Sequence, residues 1–230
     1  MKLNKKKKQK LTLARKLIAY SNPKSIITEQ FRTIRTNIQF SMPDQEIKTI
    51  LVTSSIPGEG KTTNAANLGV VFAQEGKKVL IVDADMRKPT IHHTFNLFNV
   101  VGLSNILSNQ VDVLNAIQHS DINNIDIIVS GPIPPNPSEL LSSKKLETFL
   151  DIVKNEYEII IFDAPPILSV TDAQILSNKC DGTLLIVNSG YVDKADVIKA
   201  KASLEAAHAK ILGVVLNNYK MPKNNNYYYY

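Results

Sequence analysis

The segment that most restricts what this chain can become is residues 49–63. An apolar run, Thr49-Ile50-Leu51-Val52-Thr53, passes into Ser54-Ser55-Ile56-Pro57-Gly58-Glu59-Gly60-Lys61-Thr62-Thr63, and an amphipathic stretch from Asn64 to Gln74 follows. Strand, glycine-rich turn and helix in that order are the setting a phosphate-binding loop requires. The glycines let the backbone curl until its N–H groups face phosphate oxygens, and the helix that follows adds its positive N-terminal end. In such a loop Lys61 reaches toward the β- and γ-phosphates and the Thr62 hydroxyl is placed for Mg²⁺. The pattern G-x-x-x-x-G-K-[ST] is met except at its first glycine, where Ser55 stands, a residue small enough for the turn. The candidate nucleotide contacts are therefore Ser55, Pro57, Gly58, Glu59, Gly60, Lys61, Thr62 and Thr63.

Five further apolar runs are spaced along the chain: Lys78–Asp83, Ile125–Val129, Glu158–Asp163, Gly182–Val187 and Ile211–Leu216. Each is apolar throughout rather than alternating, which suits strands covered on both faces, and helical patterns fill the intervals. The prediction is one α/β domain, a mostly parallel twisted sheet with helices on both faces. Ahead of it, residues 28–40 show helical spacing through Phe31, Ile34, Ile38 and Phe40, with Thr28 as the expected N-cap. The rigid run Gly131-Pro132-Ile133-Pro134-Pro135-Asn136-Pro137 leads to Ser138, the expected cap of a helix beginning near Glu139.

The formal charge of +6 is unevenly spread, because residues 1–28 hold nine Lys/Arg and no acid, leaving 18 Lys/Arg against 21 Asp/Glu in the remainder. This divides the chain into a basic arm (1–27), a folded domain (28–218) and a polar, tyrosine-rich tail (219–230). Lysines at 5–8 and 10 read first as a solvated flexible leader and next as a contact for an anionic bilayer surface; no aromatic residue interleaves with them, so nucleic acid is not the expected partner. The stretch after them is interrupted by Arg15-Lys16, unlike a signal peptide or a membrane span, so a cytoplasmic protein is expected. The single cysteine, Cys180, reads as a small buried residue and rules out a disulfide within the chain. His92 and His93 are adjacent, a spacing that suits no tetrahedral metal site.

Two of the later strands end in acids, Asp83-Ala84-Asp85 and Asp163-Ala164-Pro165. In an open parallel sheet, ligands bind outside the carboxyl ends of the strands, so Asp83, Asp85 and Asp163 are expected to meet the phosphates held beside Lys61. Three acids and a lysine around a triphosphate need a cation, and Mg²⁺ takes one or two carboxylates. Thr62, Asp85 and Asp163 are then the candidate Mg²⁺ ligands, and Asp83 is left to act as a base, with Lys61, Asp83 and Asp85 the candidate catalytic set.

The loop S-x-P-G-E-G-K-T, the second acidic motif D-A-D-M-R-K-P, the proline loop G-P-I-P-P-N-P-S-E-L-L, the F-D-A-P-P motif and a terminal tyrosine cluster together resemble the bacterial tyrosine kinases of capsule and exopolysaccharide systems. The likeness is to the form in which the kinase is a chain separate from its membrane activator. It implies a MinD/ParA-like P-loop NTPase fold, ATP and Mg²⁺ as cofactors, Asp83 as base toward a tyrosine hydroxyl, and autophosphorylation in trans on Tyr227, Tyr228, Tyr229 and Tyr230. It further implies a ring-like homo-oligomer through the E-x-x-R-x-x-R residues Glu29, Arg32 and Arg35. The expected partners are a transmembrane activator that brings the kinase to the inner face of the membrane, a cognate phosphatase and other protein substrates.

Two other readings share the nucleotide motifs: an ATPase switch of the MinD/ParA kind, and an adaptor that binds nucleotide without turnover. The ATPases carry a lysine at the second loop position, where this chain has Ile56, and no tyrosine tail is expected of them. The joint presence of Lys61, Thr62, Asp83, Asp85 and Asp163 argues against the adaptor.

Overall fold

The structure is a computed structural model and describes residues 17–42 and 45–220. A short helix, α1 (Ile18–Ser21), and a longer one, α2 (Ile26–Ser41), precede β1 (Thr49–Ser54), α3 (Lys61–Ala73) and β2 (Val79–Asp83). The chain continues through α4 (Ile91–Phe95), α5 (Leu103–Leu107), a 3₁₀ turn at Val113–Ala116, β3 (Gln118–His119) and β4 (Ile125–Ile128). It closes with α6 (Pro137–Leu141), α7 (Lys144–Glu156), β5 (Ile159–Asp163), α8 (Asp172–Lys179), β6 (Gly182–Asn188), α9 (Lys194–Ala206) and β7 (Ile211–Asn217). The strands form one sheet in the order β3-β4-β2-β5-β1-β6-β7. All neighbours are parallel except β3 with β4.

Every residue of β1, β2 and β5 is buried. Alternation along each strand feeds two cores: Leu51, Leu80 and Phe162 face one, with Phe149 of α7, while Ile50, Val52, Ile81 and Ile161 face the other, with Phe72 of α3. Each strand thus buries both faces, which is why its sequence is apolar without a break. α3 lies directly behind the sheet, and a Cβ at Gly69 would come within 2.7 Å of the Ile81 side chain, so any larger residue there would force Ile81 to shift. α3 also departs from the amphipathic expectation. Every residue from Asn64 to Ala73 is buried, because α2 covers its outer side and the Arg35 guanidinium donates to the Val71 carbonyl at 2.7 Å.

Three local expectations are corrected. Helix α2 starts at Ile26, two residues before Thr28; Ser25 is the cap, its hydroxyl accepting from the Thr28 N–H at 3.1 Å. Thr28 is instead fully buried and donates its hydroxyl to the Asn22 carbonyl at 2.8 Å. Ser138 does not cap α6, whose N-cap position is Asn136 with Pro137 in the first turn. The expected boundary at residue 28 also falls too late: Leu17 and Ala19 are buried, and the Ala19 N–H donates to Asn67 at 2.9 Å. Cys180 is buried, and burial pushes its thiol up to about 12. The lysine run at 5–10 and Tyr227 to Tyr230 lie outside the described residues. Among the described residues no helix is long and apolar enough to cross a membrane.

Candidate active site

The loop between β1 and α3 holds its shape through groups buried beneath it. Gly58 and Gly60 sit at φ +88° and +92°, in the left-handed region that favours glycine. Glu59 is fully buried, with one carboxylate oxygen accepting from the Ile56 N–H at 2.9 Å and the other from the Asn188 N–H at 3.0 Å. Its carbonyl accepts from the Asn217 side chain at 2.8 Å. Glu59 therefore fastens the loop to the end of β6 through its side chain and to the end of β7 through its carbonyl, which leaves its backbone N–H as the group that can face a nucleotide. On the other side the Thr53 hydroxyl donates to the Pro165 carbonyl at 2.7 Å, and the Ile167 N–H donates to the Ser54 carbonyl at 2.8 Å. The loop is thereby locked to the segment after β5. Ser55 is buried here and its hydroxyl has no partner.

Lys61 opens α3 and extends across the carboxyl ends of β2 and β5. Its ammonium lies 2.9 Å from an Asp85 oxygen and 3.4 Å from an Asp163 oxygen. The second Asp163 oxygen accepts from the Thr62 hydroxyl at 2.6 Å. Asp83 and Asp163 are register partners on adjacent strands. Asp83 is enclosed by backbone donors: Thr90 and Ile91 N–H at 3.0 Å each to one oxygen, and Asp85 N–H at 3.2 Å to the other. All three carboxylates are buried.

Burial and the neighbouring Asp163 charge push Asp83 up to about 8, even though the Ile91 amide pulls the other way. Asp163 is likewise raised, chiefly by burial, with Lys61 opposing. Burial disfavours the Lys61 charge too, but Asp163 and Asp85 outweigh it and hold the ammonium above its ordinary value. The cluster is short of positive charge, the condition that a divalent cation relieves.

A cavity of about 460 Å³ opens over this cluster, lined by loop residues Pro57, Gly58, Gly60, Lys61, Thr62 and Thr63, with Asp85, Arg87, Lys88 and Thr90 facing them. Asp85 is the carboxylate of the three that lines it. A second cavity of about 460 Å³ lies between α2 and β7, but Tyr219 is its only titratable side chain, so the chemistry belongs to the first. Among the described residues no group of three or more His, Cys, Asp or Glu is set to hold a metal ion by itself. A cation here would draw further ligands from phosphate and water, as Mg²⁺ commonly does.

Arg87 and Asp172 belong to the site although sequence reasoning gave Arg87 no definite role and missed Asp172. The Arg87 fork holds the buried Asp172 carboxylate with two bonds of 2.9 and 3.0 Å, and also donates to the Ser138 hydroxyl at 3.2 Å. Ser138 in turn donates to Asp172 at 3.1 Å. This triad joins the segment after β2 to α6 and α8 at the cavity's edge. Of the E-x-x-R-x-x-R residues, Glu29 is exposed and pairs with Arg32 at 2.8 Å. Arg35 is turned inward, onto Val71 and, at 3.6 Å, Glu75.

The sheet, the locked glycine loop, and the lysine set among strand-end carboxylates define a nucleotide-binding P-loop NTPase. The AAA domain family model matches residues 47–192. The same fold occurs in the cell division ATPase MinD of Pyrococcus furiosus, 28% identical over 76% of this chain and 74% of that one, with a TM-score of 0.66. Much nearer in sequence is the tyrosine-protein kinase YwqD of Bacillus subtilis, 49% identical over 95% of this chain and 92% of the relative. The putative tyrosine-protein kinase CapB of Staphylococcus aureus is 43% identical over 97% of both. The crystal structure of the chimerical protein CapA2B2 superposes with a TM-score of 0.87 at 47% identity, covering 90% of this chain and 91% of that one. This chain belongs to the bacterial tyrosine kinases and is a tyrosine-protein kinase.

Proposed function

We propose that the chain transfers the γ-phosphoryl group of Mg·ATP to Tyr227, Tyr228, Tyr229 and Tyr230 of another copy, and that this controls capsular or exopolysaccharide synthesis. The observation that carries the reading is the buried trio Asp83, Asp85 and Asp163 against the Lys61 ammonium, with the Thr62 hydroxyl on Asp163. These residues fit a triphosphate with its cation: Thr62, Asp85 and Asp163 would hold Mg²⁺. When bound, Mg²⁺ supplies charge neutralisation on the phosphate oxygens.

The tyrosine oxygen attacks the γ-phosphorus, the new O–P bond forms as the bond to the β–γ bridging oxygen breaks, ADP leaves, and the phenolic proton passes to a carboxylate. Lys61 and the loop amides hold the charge that spreads over the transferring oxygens. Asp83 is proposed as the proton acceptor on the strength of the family resemblance. Three backbone amides occupy Asp83, leaving acceptor capacity only on the oxygen bound by the Asp85 N–H, whereas Asp85 lines the cavity directly. Substitution to Asn at each position, with phosphotransfer titrated against Mg²⁺, separates the roles. A base variant is slow at any Mg²⁺ concentration, and a ligand variant recovers as Mg²⁺ rises.

The same reading includes activation by the cytoplasmic segment of a transmembrane partner, recruitment to the inner membrane face, a ring-like homo-oligomer, a cognate phosphatase and further protein substrates. The proposal is tested by incubating the protein with Mg·ATP, with and without the activator segment, and mapping phosphotyrosine by mass spectrometry beside Lys61→Ala. Phosphate on Tyr227 to Tyr230 that vanishes in the variant supports it; unmodified tyrosines under both conditions overturn it.

A further inference from the structure

Thr90 lines the nucleotide cavity opposite the phosphate loop, at the N-cap position of α4 (Ile91–Phe95). A threonine at such a position ordinarily turns its hydroxyl onto an amide of its own helix. Thr90 makes no such bond. Its hydroxyl lies 3.1 Å from the Thr62 hydroxyl, on the first turn of α3. The first amides of the stretch go to Asp83 instead, which accepts from both Thr90 and Ile91 at 3.0 Å. The Thr90 carbonyl accepts from the His93 and Thr94 N–H groups at 3.2 and 3.3 Å, and the Ile91 side chain beside it is fully buried. The backbone of Thr90 is thus held from both sides, and its side chain is left to serve a different element of the site.

The protons available set the direction of that contact. A hydroxyl has one proton to give and two lone pairs to offer. Thr62 gives its proton to Asp163, 2.6 Å away, so the proton shared by the two threonines is Thr90's. One lone pair of Thr62 is thereby engaged and one remains. On a helix, threonine divides between two side-chain rotamers, because its hydroxyl can also turn back to a carbonyl of the preceding turn. Asp163 and Thr90 hold Thr62 in the rotamer that keeps its oxygen at the cavity. The two anchors differ in what competes for them. Asp163 is a carboxylate that also faces Lys61 at 3.4 Å and would draw any cation bound there, whereas Thr90 is neutral. We propose that Thr90 is a positioning residue for Mg²⁺, its hydroxyl holding Thr62 so that the remaining lone pair is presented to the cation. The inference rests on the reading of Thr62 as a Mg²⁺ ligand. Groups that orient a metal ligand from behind change metal affinity by about tenfold or more when they are removed.

Two substitutions in the full chain separate the hydroxyl from the shape of the residue. Thr90→Val removes the hydroxyl but keeps the branched side chain and the backbone donors to Asp83; Thr90→Ser keeps the hydroxyl. Binding of a fluorescent ADP analogue, titrated with Mg²⁺ and repeated in EDTA, reads the effect apart from turnover. Thr90→Val should raise the Mg²⁺ concentration at half-effect about tenfold, Thr90→Ser should stay within about twofold of the parent, and affinity in EDTA should be the same for all three. In a Thr62→Val background Thr90→Val should cause no further shift, because its action passes through Thr62. A midpoint for Thr90→Val within about twofold of the parent's would overturn the proposal. Equal shifts in the Val and Ser variants would overturn it as well, by tracing the effect to packing, and weaker binding in EDTA would do so by tracing it to direct contact with the nucleotide. If Thr62→Val alone leaves the midpoint where it was, or the parent does not respond to Mg²⁺, the assignment of Thr62 as a ligand falls and the inference falls with it.

Discussion

Lys61 neutralises two buried carboxylates at once, so its removal has two separable effects. Lys61→Ala should abolish phosphotransfer, and it should also leave Asp85 and Asp163 without their cation, a break that typically costs about 3–5 kcal/mol when both groups are buried. The apo variant should melt well below the parent, at roughly 2–4 °C per kcal/mol for a domain of this size, and less so in acid, where the carboxylates can take up protons. Differential scanning calorimetry at two pH values checks this. Asp83 gives the opposite pH signature from an ordinary surface acid. Its folded value, about 8, lies above its ordinary 3.8, so between the two the folded state holds the extra proton. The stability it contributes is full below the lower value and is lost as pH rises toward the upper one. Urea denaturation of apo protein should show this downward slope from pH 5 to pH 8, and Asp83→Asn should flatten it. The identity of these residues was legible from the sequence, because strand-end acids beside a phosphate loop have few other uses. The enclosure of Asp83 by three backbone N–H groups was not, because it depends on how the chain folds back at Thr90 and Ile91.

The strands were the most legible elements, since burial on both faces leaves an apolar run with no alternation to misread. β7 shows where that inference weakens: its run is equally apolar, yet it lies at the sheet edge and exposes Val214 and Leu216. β3 was missed because a strand of two residues leaves no pattern. The Arg87–Asp172–Ser138 triad was unreadable for a different reason: its members lie far apart in the chain and meet only because α6 and α8 pack at the end of β2. Asp172→Ala should free the Arg87 fork and loosen that corner, costing about 1.5–3 kcal/mol for its charged hydrogen bonds. Arg87→Lys should recover only part, since an ammonium cannot reproduce the two-pronged contact. Melting temperature and nucleotide affinity, measured on both variants, test this together.

On the scale of the whole molecule, the three motif residues of α2 divide by where they point. Arg35 clips the last turn of α3 through Val71, so Arg35→Ala should destabilise the isolated subunit by about 1–3 kcal/mol. Glu29 is exposed, and Glu29→Ala should leave stability within about 0.5 kcal/mol while weakening any ring built on this face. Light scattering beside thermal melts distinguishes the two. A kinase differs from an ATPase switch of the same fold in where the γ-phosphoryl group goes, to tyrosine or to water. The most direct measurement is the partition of γ-labelled ATP between phosphotyrosine and free phosphate in the assembled, activator-stimulated protein. Label should accumulate on Tyr227 to Tyr230 faster than it appears as phosphate. Phosphate released at the full rate of ATP consumption, with the tyrosines unlabelled, would contradict it.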